Sequence, residues 1–136
     1  MNSKFGEVTI SNIHVLCVEA TGVKNSGEAF NSLETKIGSL KGRKFYGTLL
    51  GNPETGLYRA CVEILQSENA EKLGLSNWVI PGGRYLRCKI TDWGDKTNLI
   101  GPTFGEMAKE AEVDETRPYI EFYRSQKELI LMMPVR

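Results

Sequence analysis

The sequence predicts an α+β domain in which a strand–helix–strand–strand unit occurs twice, its strands forming a mixed or antiparallel sheet with two helices packed on one face. Three observations point there. Runs such as "EVTI" and "IHVLCVEATG" have the alternating or continuous apolar character of strands. Two other stretches carry apolar residues at helical spacing. The order of these elements then recurs. The 136 residues suit one domain with a proper core, spanning 1–136, with one repeat over about 5–67 and the other over about 75–136.

The first strand region ends at Gly22, and Ser26 is placed to cap the helix "SGEAFNSLETKIGSL". Phe30, Leu33, Ile37 and Leu40 form its buried stripe. Two strand-like runs in "RKFYGTLLGNPETGLYRACVEIL" flank "GNPETG", which has the Gly, Asn and Pro of a hairpin connection. The second unit opens with "NWVIPGGRYLRCKIT", a strand region broken at Pro81-Gly82-Gly83. Leu86, Cys88 and Ile90 share one face there, opposite Tyr85, Arg87 and Lys89. A helix follows with Pro102 in its first turn and Phe104, Met107, Ala108 and Ala111 on one face. "RPYIEFYRSQKELILMMPV" closes the chain as two strands around the polar "RSQK". Overlaying the units sets Arg43 on Arg117, Phe45 on Tyr119 and Gly47 on Glu121. A groove along the junction of two such units is a natural place for a ligand.

Composition narrows the function classes. Seventeen basic residues balance seventeen acidic ones, so the chain lacks the positive field that a phosphate backbone requires. Nucleic acid is therefore not an expected direct partner. Hydrophobic content of 40% and charged content of 25% are those of a soluble globular protein. No run approaches membrane-spanning length and "MNSKFGEVTI" lacks a signal-peptide core, so no membrane partner is expected and the location expected is cytoplasmic. Cys17, Cys61 and Cys88 sit singly in apolar runs and read as reduced core thiols. His14 is the only histidine and has no triad motif around it; no cluster has metal-ligand spacing, and "PGGRY" lacks the P-loop pattern. No metal or cofactor is expected, and the sequence sets no oligomeric state.

The most informative stretch is "RPYIEFYRS", residues 117–125. Its aromatics read as a buried strand, yet Glu121 stands at its centre. A buried carboxylate is costly, so it must be solvated, paired or kept for a ligand. Alternation puts Tyr119, Glu121 and Tyr123 on one face and Ile120 and Phe122 on the other. The second pair is the expected packing surface for the helices, with the first set lining the opposite face.

"FYGTLLGNP" (45–53), "VIPGGRYLRCKI" (79–90) and "PYIEFYRS" (118–125), closing with "MMPV" (132–135), resemble the GyrI-like small-molecule-binding proteins over nearly the whole chain. That family includes effector-binding domains of multidrug-responsive transcription activators and stand-alone members. The resemblance implies two units about a pseudo-twofold axis and a central groove that takes lipophilic, often cationic, compounds against aromatic walls and an acid, which aligns with Glu121. It also implies that some stand-alone members hydrolyse electrophilic cyclopropane-containing compounds. This chain departs from the family in its last strand, where Ile130 and Met132 stand in place of a glutamate and a tyrosine. One acid fewer and a methionine-walled, adaptable pocket are the expected result.

The ligand-binding residues expected are therefore Glu121 for charge, Tyr119, Tyr123, Tyr46, Trp78 and Phe45 for stacking area, and Gly47 for space. Trp78 is favoured because it precedes the Pro-Gly-Gly bend, whereas Trp93 is expected to cap the core. The leading reading is a stand-alone binding module. The alternative is a hydrolase with Glu121 as general base and Tyr123 or Tyr119 polarising the substrate. A third, modulation of gyrase or another protein, is suggested by the family name alone. Unless Glu121 serves one of these roles, it pairs with a nearby Lys or Arg on an open sheet face.

Overall fold

The computed structural model describes residues 5–136; Met1–Lys4, which begin the stretch expected to lack a signal segment, lie outside it. Strands β1 (Gly6–Ile10) and β2 (Ile13–Thr21) lead through a 3-10 turn at Val23–Asn25 into α1 (Ser26–Ile37). The β3–β4 hairpin (Phe45–Leu50 and Leu57–Glu63) and the one-turn helix α2 (Ala70–Leu73) follow. Next come β5 (Ser76–Ile80) and β6 (Gly83–Thr91), two 3-10 turns over Trp93–Asp95 and Thr97–Leu99, and α3 (Ile100–Glu110). Strands β7 (Tyr119–Tyr123) and β8 (Glu128–Pro134) end the chain.

The fold is α+β, with one eight-stranded curled sheet in the order β1-β6-β8-β7-β3-β4-β2-β5, and every strand pair is antiparallel. A mixed sheet was an open alternative; hairpins and strand exchange make the parallel option unnecessary. The order reads the same from both ends when β1, β2, β3 and β4 are exchanged for β5, β6, β7 and β8. The break at Pro81-Gly82 separates β5 and β6 into strands that pair with different partners, β2 and β6's own neighbours β1 and β8.

α1 and α3 cover one face. α1 packs on β2 and β4 through Ala29 and Leu33, with Phe30 and Ile37 beside them. Leu40, assigned to the same stripe, lies beyond the helix end and is exposed. α3 packs on β8 through Met107, with Phe104 and Ala111 against Leu86 and Met133. The other sheet face curls around a core of its own, in which Tyr46, Tyr85, Ile120, Ile130 and Met132 are buried without any helix residue. Cys17 and Cys61 face each other across β2 and β4 in that core, both reduced, and Cys88 is half-buried.

This corrects the assignment of faces. Ile120 and Phe122 point into the curled face, and it is Tyr119, Glu121 and Tyr123 that look towards the helices. Because both faces of the sheet carry buried apolar clusters, the more apolar residue pair does not mark the helix side. Ile130 and Met132 also belong to the curled face, so they line a different core from Glu121. The departure at these positions therefore removes no acid from beside Glu121.

Gly22 sets the entry of α1. Its φ of 75° is in the left-handed region, and an added Cβ would stand 2.3 Å from the Glu54 carbonyl oxygen. That close approach lets Gly22 N–H donate to Gly56 O at 2.8 Å and Val23 N–H to Pro53 O at 2.8 Å. The start of α1 is thereby tied to the tip of the β3–β4 hairpin.

Candidate functional site

β3 and β7 meet at the centre of the sheet, with Gly47 directly across from Glu121, Phe45 across from Tyr123 and Leu49 across from Tyr119. Above this pair, between α1 and α3, lies a cavity of about 530 Å³. Its floor is Tyr58, Tyr119, Glu121 and Tyr123. α3 supplies one wall through Ile100, Phe104 and the small residues Gly101, Gly105 and Ala108. Space exists because α3 is shaved on this side: a Cβ at Gly101 or Gly105 would meet nothing within 4 Å. The opposite rim is Val23, Ser26 and the hairpin tip at Gly51 and Pro53. The volume is that of a small-molecule site.

Two hydroxyls converge on one oxygen of Glu121. Tyr58 donates to Oε1 at 2.9 Å and Tyr123 donates to the same atom at 2.8 Å. Oε2 has no hydrogen-bond partner among the described residues. No Lys or Arg lines the cavity, and Glu121 has no ion-pair partner among the described residues. The reading of Glu121 as one half of a surface ion pair is thereby excluded.

Glu121 retains some exposed area because its cavity is open, yet protein crowds it from nearly every side. Desolvation raises its pKa above the ordinary 4.5, against the opposing hydrogen bonds from Tyr123 and Tyr58. Burial, with Glu121's charge next, pushes the Tyr58 and Tyr123 hydroxyls well above the usual tyrosine value, so both stay protonated donors. Because the folded-state pKa of Glu121 exceeds the unfolded one, its ionisation opposes folding. The protonated carboxyl therefore contributes stability that is fully present below pH 4.5 and is lost as pH rises through the raised value.

Tyr58→Phe should remove one donor from the carboxylate while keeping the ring. The expected results are a loss of about 1.5 kcal/mol of stability at neutral pH and a further upward shift of the Glu121 titration, read by carboxyl-carbon NMR. An unmoved titration would show that Tyr58 does not stabilise the charge.

Of the sequence-derived site residues, Tyr119, Tyr123 and Gly47 surround Glu121 on the helix face. Phe45 lies on that face too, against Tyr123's strand end and in a neighbouring cavity. Tyr46 and Trp78 do not join them. Tyr46 stacks on Phe122 in the curled-face core, ring centroids 4.7 Å apart, and burial pushes its hydroxyl up to about 12. Trp78 lies on β5 beneath the Arg59 guanidinium, 4.0 Å from its ring centroid. The bend after Trp78 leads into β6, and neither Trp78 nor the Pro-Gly-Gly residues line the cavity. His14 is exposed on β2.

Residues outside that expected set complete the site: Tyr58 and Phe104, which were not assigned to it, and Trp93, which was weighed for the wall but expected to cap the core. Tyr58 is 1% exposed and is the second donor to Glu121. Phe104 stands edge-on to Tyr119 at 4.9 Å, and Trp93 edge-on to Tyr123 at 5.1 Å. The signal for Tyr58 was its alternation with Ala60 and Val62, which needs the hairpin register to become a site assignment.

No family model matches the chain, and no curated protein matches it in sequence. Solved structures do match its fold. An integron cassette protein from the mobile metagenome of Vibrio cholerae superposes with a TM-score of 0.69 at 15% identity, covering 97% of this chain and 95% of that one. A hydrolase from Listeria innocua gives 0.62 at 13% identity, with 98% and 92% covered. The protein SAV2435, solved bound to tetraphenylphosphonium, gives 0.61 at 10% identity, with 98% and 94% covered. At these identities the likeness is one of fold, a fold that holds a small molecule in at least one of its representatives. Among the described residues no helix is long and apolar enough to cross a membrane, and no group of three or more His, Cys, Asp or Glu is placed to hold a metal.

Proposed function

We propose that the chain is a GyrI-like binding module built from two units related about the Gly47–Glu121 pair, and that its groove holds lipophilic, cationic aromatic molecules. The observation that carries this reading is a carboxylate without a cationic partner at the floor of an apolar, aromatic cavity. Such a group attracts a weakly hydrated organic cation: the cation gives up little solvation, gains the charge of Glu121, and meets the faces of Tyr119 and Phe104. The solved complex of a like fold with tetraphenylphosphonium makes that ion the natural probe.

Glu121→Gln keeps an acceptor for both tyrosines and removes the charge. Tetraphenylphosphonium affinity, measured by calorimetry, should fall about tenfold or more, while stability at neutral pH stays level or rises. Affinity of the native protein should fall with pH as Glu121 protonates. Binding that is undiminished in the variant would sink the charge role. Gly105→Leu, which narrows the cavity from α3, should weaken binding without touching Glu121.

A second reading has its own support. The raised pKa of Glu121 and its unengaged Oε2 suit a general base that takes a proton from water, with Tyr123 or Tyr119 polarising the substrate. Electrophilic cyclopropane compounds are the test substrates. Turnover lost in Glu121→Gln supports a hydrolase; no turnover, or turnover unchanged in the variant, leaves the binding module.

A further inference from the structure

Across Tyr123 from the Glu121 cavity lies a second one of about 490 Å³. Phe30, Phe45, Trp93 and Tyr123 give it aromatic walls, and Arg43 and Arg124 line it together with Ser125, Gln126 and a single acid, Glu34. The Tyr123 ring is the shared partition. It stands edge-on to Phe30 at 5.5 Å and to Trp93 at 5.1 Å, while its hydroxyl is held by Glu121 on the other side.

The two spaces are related by the internal overlay. Setting Ser26 on Ile100, the first residues of α1 and α3, sets Phe30 on Phe104, Phe45 on Tyr119, Glu34 on Ala108 and Leu49 on Tyr123. Phe104, Ala108 and Tyr119 form one end of the Glu121 cavity, so Phe30, Glu34 and Phe45 form the corresponding end of the same groove. What divides the groove is the bulk of Tyr123, where the matching position carries Leu49. The chemistry of the two ends then differs. The first holds an unpaired carboxylate and no cation, whereas the second is lined by Glu34 and two guanidinium groups, of which Arg43 is paired with Glu68 and Arg124, among the described residues, is not. Arg43 is 6% exposed; its NH1 and NH2 donate to Glu68 and NH2 also to Glu63 O, but its Nε is buried without an acceptor. Arg124 is exposed at the rim, with no ion-pair partner among the described residues.

We infer that this second compartment is a separate site for an aromatic anion, its ring held between Phe45, Phe30 and Trp93 and its acidic group turned to Arg124. It goes beyond the cation-binding reading, taking from it only the occupant of the first compartment. The groove then accommodates a cation and an aromatic anion side by side, or one elongated molecule with both charges straddling Tyr123.

The test uses the whole chain carrying Trp78→Phe, which leaves Trp93 as the reporting indole, and anilinonaphthalene sulfonate as the probe. Saturable quenching of Trp93 is expected, with one sulfonate bound per chain. Arg124→Glu, a change at an exposed position, should weaken it about tenfold, and saturating tetraphenylphosphonium should leave it within about twofold. Absence of quenching, full competition between the two probes, or an affinity unmoved by Arg124→Glu would each overturn the inference. If tetraphenylphosphonium fails to bind while Arg124-dependent quenching persists, the cation reading fails and the second compartment stands.

Discussion

Gly47→Ala is expected to cost about 3 kcal/mol and to abolish binding in the Glu121 cavity. A Cβ at this position would stand 2.1 Å from the Tyr58 hydroxyl and 2.6 Å from Glu121 Oε1. Neither neighbour is free to give way. Tyr58 is 1% exposed, its ring flanked by Phe30 at 6.3 Å, and Glu121 is on the strand directly across. The methyl group must therefore push the hydroxyl off the carboxylate, adding the loss of a charge-assisted hydrogen bond to the overpacking. For a domain of this size the melting temperature should fall by roughly 10 °C. The companion Gly47→Ala/Tyr58→Phe protein, which removes the colliding oxygen, should recover part of that loss. If the single variant melts within a degree or two of the native protein, Gly47 does not make the room that the site needs.

Arg43→Ala should lower stability by about 3–5 kcal/mol. The Arg43 and Glu68 side chains are 6% and 13% exposed, with a guanidinium nitrogen 2.7 Å from the carboxylate, and Glu68 also accepts from Leu65 N–H at 2.9 Å. Deleting the guanidinium leaves Glu68 charged and nearly enclosed, which is the expensive way to break such a pair. Exchanging both members for apolar residues, Arg43→Met with Glu68→Met, should restore most of the loss, because the desolvation cost disappears with the charges. Denaturant unfolding of the three proteins decides the matter. A double variant as unstable as the single one would show that the pair contributes through its backbone hydrogen bonds instead.

How much of this could be read beforehand depended on which question was asked of each residue. The grouping of Tyr119, Glu121 and Tyr123 followed from alternation alone, since strand geometry admits no other arrangement. Which way that group faced did not follow. Ile120 and Phe122 are the more apolar set, but the curled face buries an apolar core of its own, as the helix side does. The same symmetry of burial misplaced Tyr46 and Trp78, whose aromatic character fits either face. Gly47 was placed opposite Glu121 by overlaying the units, and the strands pair at that very position. Tyr58 escaped notice because its role depends on the β3–β4 register, which sets it across from Leu49 and one step along from Gly47. The starts of α1 and α3 were legible to within two residues, since Ser26 and Pro102 both lie in first turns, but α1 ends at Ile37, three residues short of Leu40.

The exchange of outer strands has a mechanical meaning for the groove. β1 belongs to the opening of the chain but is hydrogen-bonded to β6, and β5 comes after α2 but is hydrogen-bonded to β2. Each flank of the sheet is thus fastened by the other flank's leader, like a coat buttoned on both sides. To splay α1 away from α3 by opening the sheet would require peeling Gly6 from Arg87 or Ile80 from Ile13, contacts between distant parts of the chain. Such lacing makes folding wait for long-range closure, and it makes the flanks give way together. On the proposed binding reading, a molecule would enter between α1 and α3 without the sheet opening.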